Sequence, residues 1–386
     1  MVSLRQNIER DRSIIEKMSY EEYYQWMMGL KIWSYDCFTY PMREAGWDAR
    51  EVIACEPIFM EKLEKDLLGI SRFRGALSTI QHAFKNLPLP DLLTPHPGKW
   101  FHETRMKWQI EKYIDSFKPH IIFMHEPTYL GNRLFRKYSD RSLRVAMAGT
   151  LLRNLGDWRL DGFDAFICFS PLVKDFMEDQ KIPAILSSFG LDERSSDSAI
   201  DCPKEHSVTF IGQLLTDEQS RKRQLIHTIA DRIPSFKWWG LLPNESSQTA
   251  ALLRSYQGNA AGSQLLDIYK KSHIVINDFP DRTHGYNFRI KEILASGSMM
   301  LTRYSSAVEP LLQAKVAVAF HTDDECCQLI ETYLKRPEDC ARIGHQGRMY
   351  GLEQFGYRKV VGELMTFLST CYENKFGKPL NVGNAQ

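Results

Sequence analysis

The sequence predicts an α/β protein made of two Rossmann-like halves. Three observations carry that expectation. Short apolar, β-branched runs alternate with longer stretches at helical spacing along most of the chain. A polar, acid-rich stretch from Gly190 to Glu205 divides this alternation in two. The clearest strand–helix–strand unit, Ser272 to Thr302, lies in the second part, and its helix stops at Gly297, as a glycine just past a helix end allows.

The totals bound the function. The chain has 386 residues, enough for two domains, and 43% hydrophobic residues, enough for packed cores. A formal net charge of +1 argues against nucleic acid as a partner, because no basic excess exists to neutralise a phosphate backbone. No apolar run approaches the roughly 20 residues of a membrane span, which leaves at most peripheral membrane contact. The first residues are polar and lack a secretory apolar core. Eight scattered cysteines without a metal-type C-x-x-C read as reduced thiols of a cytoplasmic protein.

Taken in order, Ser3 to Leu30 has the spacing of one or two amphipathic helices. A strand is expected at Leu30–Ser34, a helix ending at Gly46, and a further strand at Glu51–Cys55. No G-x-G-x-x-G follows the first strand, so no dinucleotide cofactor is expected. Helical stretches are expected at Phe59–Ile70, Phe73–Phe84 and Trp100–Phe117, with a Pro-rich turn at Leu87–Pro90. Lys118–Pro127 holds a helix end and a strand that ends in polar residues, and strands follow at Arg144–Gly149, Phe163–Ser170 and Pro183–Leu186. The second half begins with a strand at Ser207–Gly212, then a helix opening on Arg221-Lys222-Arg223. Phe236–Gly240 and Val316–Phe320 are further strands. Trp238 and Trp239, adjacent on a strand, point to opposite faces. Helices close the chain at Cys326–Leu334, Pro337–Gln354 and Tyr357–Tyr372.

The stretch His284-Gly285-Tyr286-Asn287-Phe288-Arg289 through Glu292 to Gly297 organises the second half. Gly285 lets a ligand approach the backbone, and a helix start offers unpaired N–H groups to an anion. Arg289 and Glu292 are three apart and share a face. Asn287, the Arg-x-x-Glu helix, Ala295 and Gly297 resemble the nucleotide-sugar site of GT-B glycosyltransferases, most of all the spore-maturation-type (CgeB-like) branch of the group 1 family. The resemblance implies two Rossmann-like domains facing a cleft, with a last helix returning to the first. On that reading 1–190 is the acceptor domain, 191–205 a linker, 206–356 the nucleotide-sugar domain and 357–386 a crossing helix and tail. The implied reaction moves a sugar from a nucleoside-diphosphate sugar, UDP-type favoured, to the hydroxyl of a glycan, lipid-linked or protein acceptor. The nucleotide sugar is then a substrate, and no cofactor is expected. In the family the glutamate matching Glu292 holds the donor ribose; many retaining relatives carry another glutamate eight positions earlier, where this chain has His284.

Each candidate has a plainer alternative. Glu292 could accept two ribose hydroxyls or pair with Arg289 on a wet face. Arg289 could meet the diphosphate or stay in that pair. Asn287 could serve as helix N-cap while its backbone, with Gly285 and Tyr286, faces the donor. His284 could bond a sugar hydroxyl or stand in water. Gly212 ends a strand where a nucleotide comes close, or is a turn glycine. Arg221 or Arg223 could take the charge of the departing diphosphate. Inversion at the anomeric carbon needs a base from the first half: Asp36 first, then His125 and Glu126, each of which could equally be structural. Asp278 and Asp281 lack the D-x-D spacing, so no metal is expected. A non-catalytic nucleotide-sugar or glycan-binding protein would keep Glu292 without a base, and a GT-B epimerase would need no acceptor.

Overall fold

The computed structural model describes residues 2–30, 36–54, 56–67, 97–125, 133–148, 160–187, 190–196, 202–214, 220–242, 248–260, 263–278 and 288–381. Among them, two parallel sheets account for all the strands. The first has four strands in sequence order: β1 (Ile121–Met124), β2 (Leu143–Ala148), β3 (Ala165–Cys168) and β4 (Ala184–Leu186). The second contains β5 (His206–Ile211), β6 (Phe236–Trp239), β7 (Ser272–Asn277), β8 (Met299–Arg303) and β9 (Val318–Phe320), in the order β6-β5-β7-β8-β9. Parallel neighbours cannot be joined by hairpins, so each connection crosses over a face and both faces become covered.

That burial explains the near-continuous apolar strands. In the second sheet Val208, Phe210, Ile274 and Leu301 enter one core, while Ile211, Val275 and Met300 enter the other. The period of two separates them. Trp238 and Trp239 obey it: each is buried, one in each core, and the Trp238 indole donates to the Leu252 carbonyl at 3.1 Å. In the first sheet Ala146, Ala148, Phe166 and Cys168 face the N-terminal helices, where Tyr23, Met27 and Phe59 are fully buried. Val145, Met147, Ala165 and Ile167 face the other way and meet Tyr357, Val361, Leu364 and Leu368 of the last helix, Tyr357–Phe376. That helix therefore packs on the first sheet, although it follows the second in the chain. Lys375 near its end donates to Asp164 at 2.8 Å, and Asp164 also pairs with Arg144 at 2.7 Å.

Some expectations changed. The N-terminal stretch forms three helices, Val2–Arg10, Arg12–Ile15 and Tyr20–Gly29, the last opened by a Ser19–Glu22 capping box. Glu51–Ala54 is not a strand. The Ile53 carbonyl accepts from the Glu56 N–H in a turn, because Glu56 caps the next helix through the amides of Ile58 and Phe59. The expected linker contains a short helix, Glu193–Ser196. The strand expected at Leu30–Ser34, the helix at Phe73–Phe84 and the Pro-rich turn lie mostly or wholly outside the described residues.

The Pro337–Phe355 helix lies directly on the end of the Phe288–Ser296 helix. A Cβ at Gly344 would fall on the Gly297 carbonyl, and at Gly347 and Gly351 it would touch Leu294 at 3.0 Å. Gly344→Ala is therefore expected to destabilise the fold by roughly 1–3 kcal/mol through overpacking against backbone. Gly362→Ala, on the open face of the last helix with nothing within 4 Å, should stabilise by up to about 1 kcal/mol. Chemical denaturation of the two variants measures both signs.

Candidate functional site

The site is built on the Phe288–Ser296 helix. Gly297 closes it in the left-handed region, at φ 72°. The buried Arg348 side chain donates to the Ala295 carbonyl, one of the last carbonyls of that helix. Ser298, just beyond, donates to the carbonyls of Tyr269 and Ser272 at 2.5 and 2.7 Å. The C-terminal end is thus fixed on three sides.

Glu292 sits on this helix, partly buried. Burial lifts its carboxyl above the ordinary carboxylate range, against the opposing pull of Arg289. Arg289 does not pair with Glu292 among the described residues. Its guanidinium donates instead to the hydroxyl of the fully buried Tyr269, at 3.0 Å. Tyr269 is pushed up to about 12, by burial first and by the Glu292 charge, against Arg289. The plain intrahelical pair is therefore replaced by a three-residue cluster. His284, Gly285, Tyr286 and Asn287 lie outside the described residues.

Basic side chains gather at the C-terminal edge of the second sheet. Asp278, which follows β7, accepts from Arg303 at the end of β8 at 2.8 Å. Arg221, in the first turn of the Ser220–Arg232 helix, comes within 3.7 Å of the same oxygen. Arg303 also donates to Asp323 at 2.8 Å. Burial opposes the Arg303 charge, but Asp323 and Asp278 hold its pKa raised. Lys222 is half-buried between the charges of Asp278 and Arg289; burial lowers its pKa, Asp278 acts against that, and Arg289 adds to it. Arg223 is two residues from Arg221, so it points to another side of the helix. The sequence reading weighed the two arginines and passed over Lys222, Asp278 and Arg303. Asp278 follows and Arg303 ends an apolar strand, the position that faces ligands in open α/β sheets, and that signal was present.

Gly212 has a packing reason of its own. It is buried, donates to the Trp239 carbonyl at 2.9 Å, and a Cβ there would meet the Phe210 ring at 2.6 Å.

On the first half, Asp36 has a charged partner. Both of its oxygens accept from Arg194, each at 2.8 Å. Arg194 also holds Asp192 and lies over the Tyr40 ring at 4.0 Å. Each oxygen thus carries one charge-assisted bond from the guanidinium, an arrangement that suits a strut between Asp36 and Arg194. His125 follows β1, is exposed, and packs its ring against Phe38 and Phe123, with centroids 6.1 and 6.2 Å away. Glu126 lies outside the described residues.

The two halves approach one another beside Glu292. Lys291 is only 3% exposed, with its Nζ 5.0 Å from the Phe355 ring centre, and it feels the Cys37 thiol of the first half. Burial lowers its pKa to about 7, against the smaller opposing effect of Cys37.

Residues 221–366 match the family model described as Glycosyl transferase-like. No curated protein sequence matches the chain. Among solved structures, a glycosyltransferase from Rickettsia africae is similar at a TM-score of 0.51 and 11% identity, over 74% of this chain and 84% of that one. Sucrose-phosphate synthase from Thermosynechococcus elongatus is similar at 0.50 and 10% identity, over 75% and 83%. Anabaena Alr3699/HepE in complex with UDP and glucose is similar at 0.50 and 9% identity, over 74% and 84%. The chain has the GT-B fold. The C-terminal edge of the second GT-B sheet is the one that carries Asp278 and Arg303, and the matched segment contains Arg221, Lys222, Asp278, Arg289, Glu292 and Arg303. Among the described residues no helix is long and apolar enough to cross a membrane.

Lys291 gives a pH test. Its folded pKa of about 7 lies below the ordinary value of 10.5, so between them the unfolded chain binds the extra proton. Stability contributed at this position is therefore lowest below about pH 7 and rises with pH until about 10.5. Each unit of separation corresponds to about 1.4 kcal/mol. Lys291→Met should raise the melting temperature at pH 7 and flatten its rise toward pH 9, as scanning calorimetry at both pH values can show.

Proposed function

We propose that this chain is a glycosyltransferase that moves a sugar from a nucleoside-diphosphate sugar to an acceptor hydroxyl. The observation that carries the proposal is the meeting of Arg221, Lys222 and Arg303 at one sheet edge, in the segment that matches the glycosyltransferase-like family. Positive charge fixed at that edge suits a diphosphate, whose leaving oxygen gains charge as the glycosidic bond to the donor breaks. In this reading the basic side chains do the work a metal ion would otherwise do. Glu292 accepts the ribose hydroxyls. It enters as a carboxylate with a raised pKa, and two charge-assisted bonds from a diol favour its ionised form. The UDP in the Anabaena neighbour supports a uridine donor. The Arg-x-x-Glu pattern still favours a CgeB-like subtype, and His284, Gly285, Tyr286 and Asn287 are assigned to the phosphate and sugar.

The acceptor enters from the first sheet. With Asp36 held by Arg194, His125 is the better base if configuration inverts. A glycan is the favoured acceptor, and closing the cleft over both substrates would keep water from the donor. A non-catalytic binding protein is the second reading, favoured by His284 standing where many relatives have glutamate.

A thermal-shift screen of nucleotides tests the donor site. Uridine diphosphate should raise the melting temperature, and Glu292→Gln should remove most of that rise, with affinity at least tenfold weaker. If no nucleotide shifts the protein, or the variant responds like the parent, the proposal fails. Slow hydrolysis of a UDP-sugar by the parent, reduced tenfold or more in His125→Ala, separates the enzyme from a binding protein; binding without any turnover favours the second reading.

A further inference from the structure

A buried carboxylate at the centre of a site for anions needs an explanation. The Asp278 side chain is almost wholly enclosed, with 2% exposure, and it stands where a bound diphosphate would be repelled. Its contacts supply the reason. The Oδ1 atom accepts from Arg303 Nε at 2.8 Å and lies 3.7 Å from Arg221. Lys222 on the next helical position feels the same charge. These three cations come from two elements, the Ser220–Arg232 helix and β8, and Asp278 immediately follows a third, β7. Without a shared anion they would repel one another.

We propose that Asp278 is a positioning residue that gathers Arg221 and Arg303, beside Lys222 on the same helix as Arg221, into one receptor for the donor diphosphate. The proposal rests on the donor site described above and assigns it an organiser. Arg303 is turned inward, shared between Asp278 and Asp323, and serves as the rigid anchor. Arg221 is largely exposed at its side chain and free to rotate onto a phosphate while Asp278 limits its range. Lys222 is the member whose charge is at risk. The charged groups acting on it are Asp278, which favours its protonated form, Arg289, which disfavours it, and burial, which disfavours it most. Its sequence neighbours Arg221 and Arg223 add further positive charge on the same helix. Asp278 therefore has two effects on the receptor: it places two arginines and it keeps one lysine charged.

The second effect gives a readout that a merely structural role would not move. Affinity for uridine diphosphate should fall as pH rises and Lys222 loses its proton. The useful range is roughly pH 7.5 to 10.5, above the titration of the terminal phosphate. In Asp278→Asn the fall should begin at lower pH, by about one unit, and the affinity at pH 7.5 should be at least tenfold weaker. Lys222→Arg cannot titrate in that range and should keep its affinity with no alkaline fall. Calorimetric titration with uridine diphosphate at several pH values measures all three. An Asp278→Asn midpoint equal to that of the parent overturns the proposal. So does an unchanged alkaline fall in Lys222→Arg, which stands even if Asp278→Asn does not fold. If the parent binds no uridine diphosphate at any pH, the donor site itself is wrong, and that result is distinct from binding that ignores both substitutions.

Discussion

A backbone-to-backbone contact sets the geometry on which the second half depends. The Pro337–Phe355 helix crosses the end of the Phe288–Ser296 helix so closely that only glycine fits at Gly344. Beside that contact Arg348 takes an otherwise unpaired carbonyl and Gly297 turns the chain. A helix anchored this way is a stiff arm. From Gly297 back to Glu292 is five residues, roughly 7.5 Å along the axis. Small changes at the glycine contact would thus move the carboxylate as a body, with no loop to absorb the difference. Side chains that never approach a ligand decide where Glu292 stands.

The link between the halves is built in a similar manner. The chain crosses twice, at Gly190–Leu191 and at Phe355–Tyr357, and the two crossings are hydrogen-bonded to each other, Leu191 to Phe355 at 2.6 Å and Tyr357 to Leu191 at 3.1 Å. Gly190 lies against Tyr357, where a Cβ would come within 2.6 Å of the ring. Arg194, just past the first crossing, ties Asp36 of the first half, and Arg358, just past the second, reaches Glu193 and Glu44. Charges near the chain crossings thus serve geometry first. Asp36 has a partner 158 positions away in Arg194, and no local pattern announces it.

Much of the fold was legible because it depends on periodicity and punctuation. Apolar runs fixed all nine described strands to within a few residues, and Gly297 marked a helix end that the positive φ bears out. What failed did so where long-range contacts override local preference. Glu51–Ala54 has strand-like residues, yet Glu56 caps the next helix and bends the chain before a ladder can form. In the site, Arg289 was legible as a member of the helix, but its partner Tyr269 lies 20 residues earlier and is visible only in three dimensions. Asp278 and Arg303 each stand at a strand end that sequence can flag, but only the sheet order β5-β7-β8 brings the two to one edge, next to the helix that carries Lys222.

That edge also shows why bulk charge is a poor guide to a binding site. The chain as a whole carries a formal +1, which argues against a surface built for nucleic acid. Four cations, Arg221, Lys222, Arg289 and Arg303, nevertheless occupy one corner of the second sheet. Such a cluster is stable before a ligand arrives only if its charge is shared out. Asp278 and Asp323 share it for the arginines, and the Tyr269 hydroxyl does so for Arg289. The corner is therefore organised in advance, and under the proposed donor site a diphosphate would meet donors already in place, which is where preorganised charge is worth most. A corner without those carboxylates would carry more positive charge yet, under the proposed donor site, bind less well, because its cations would spread apart and its half-buried lysine would hold its proton less firmly.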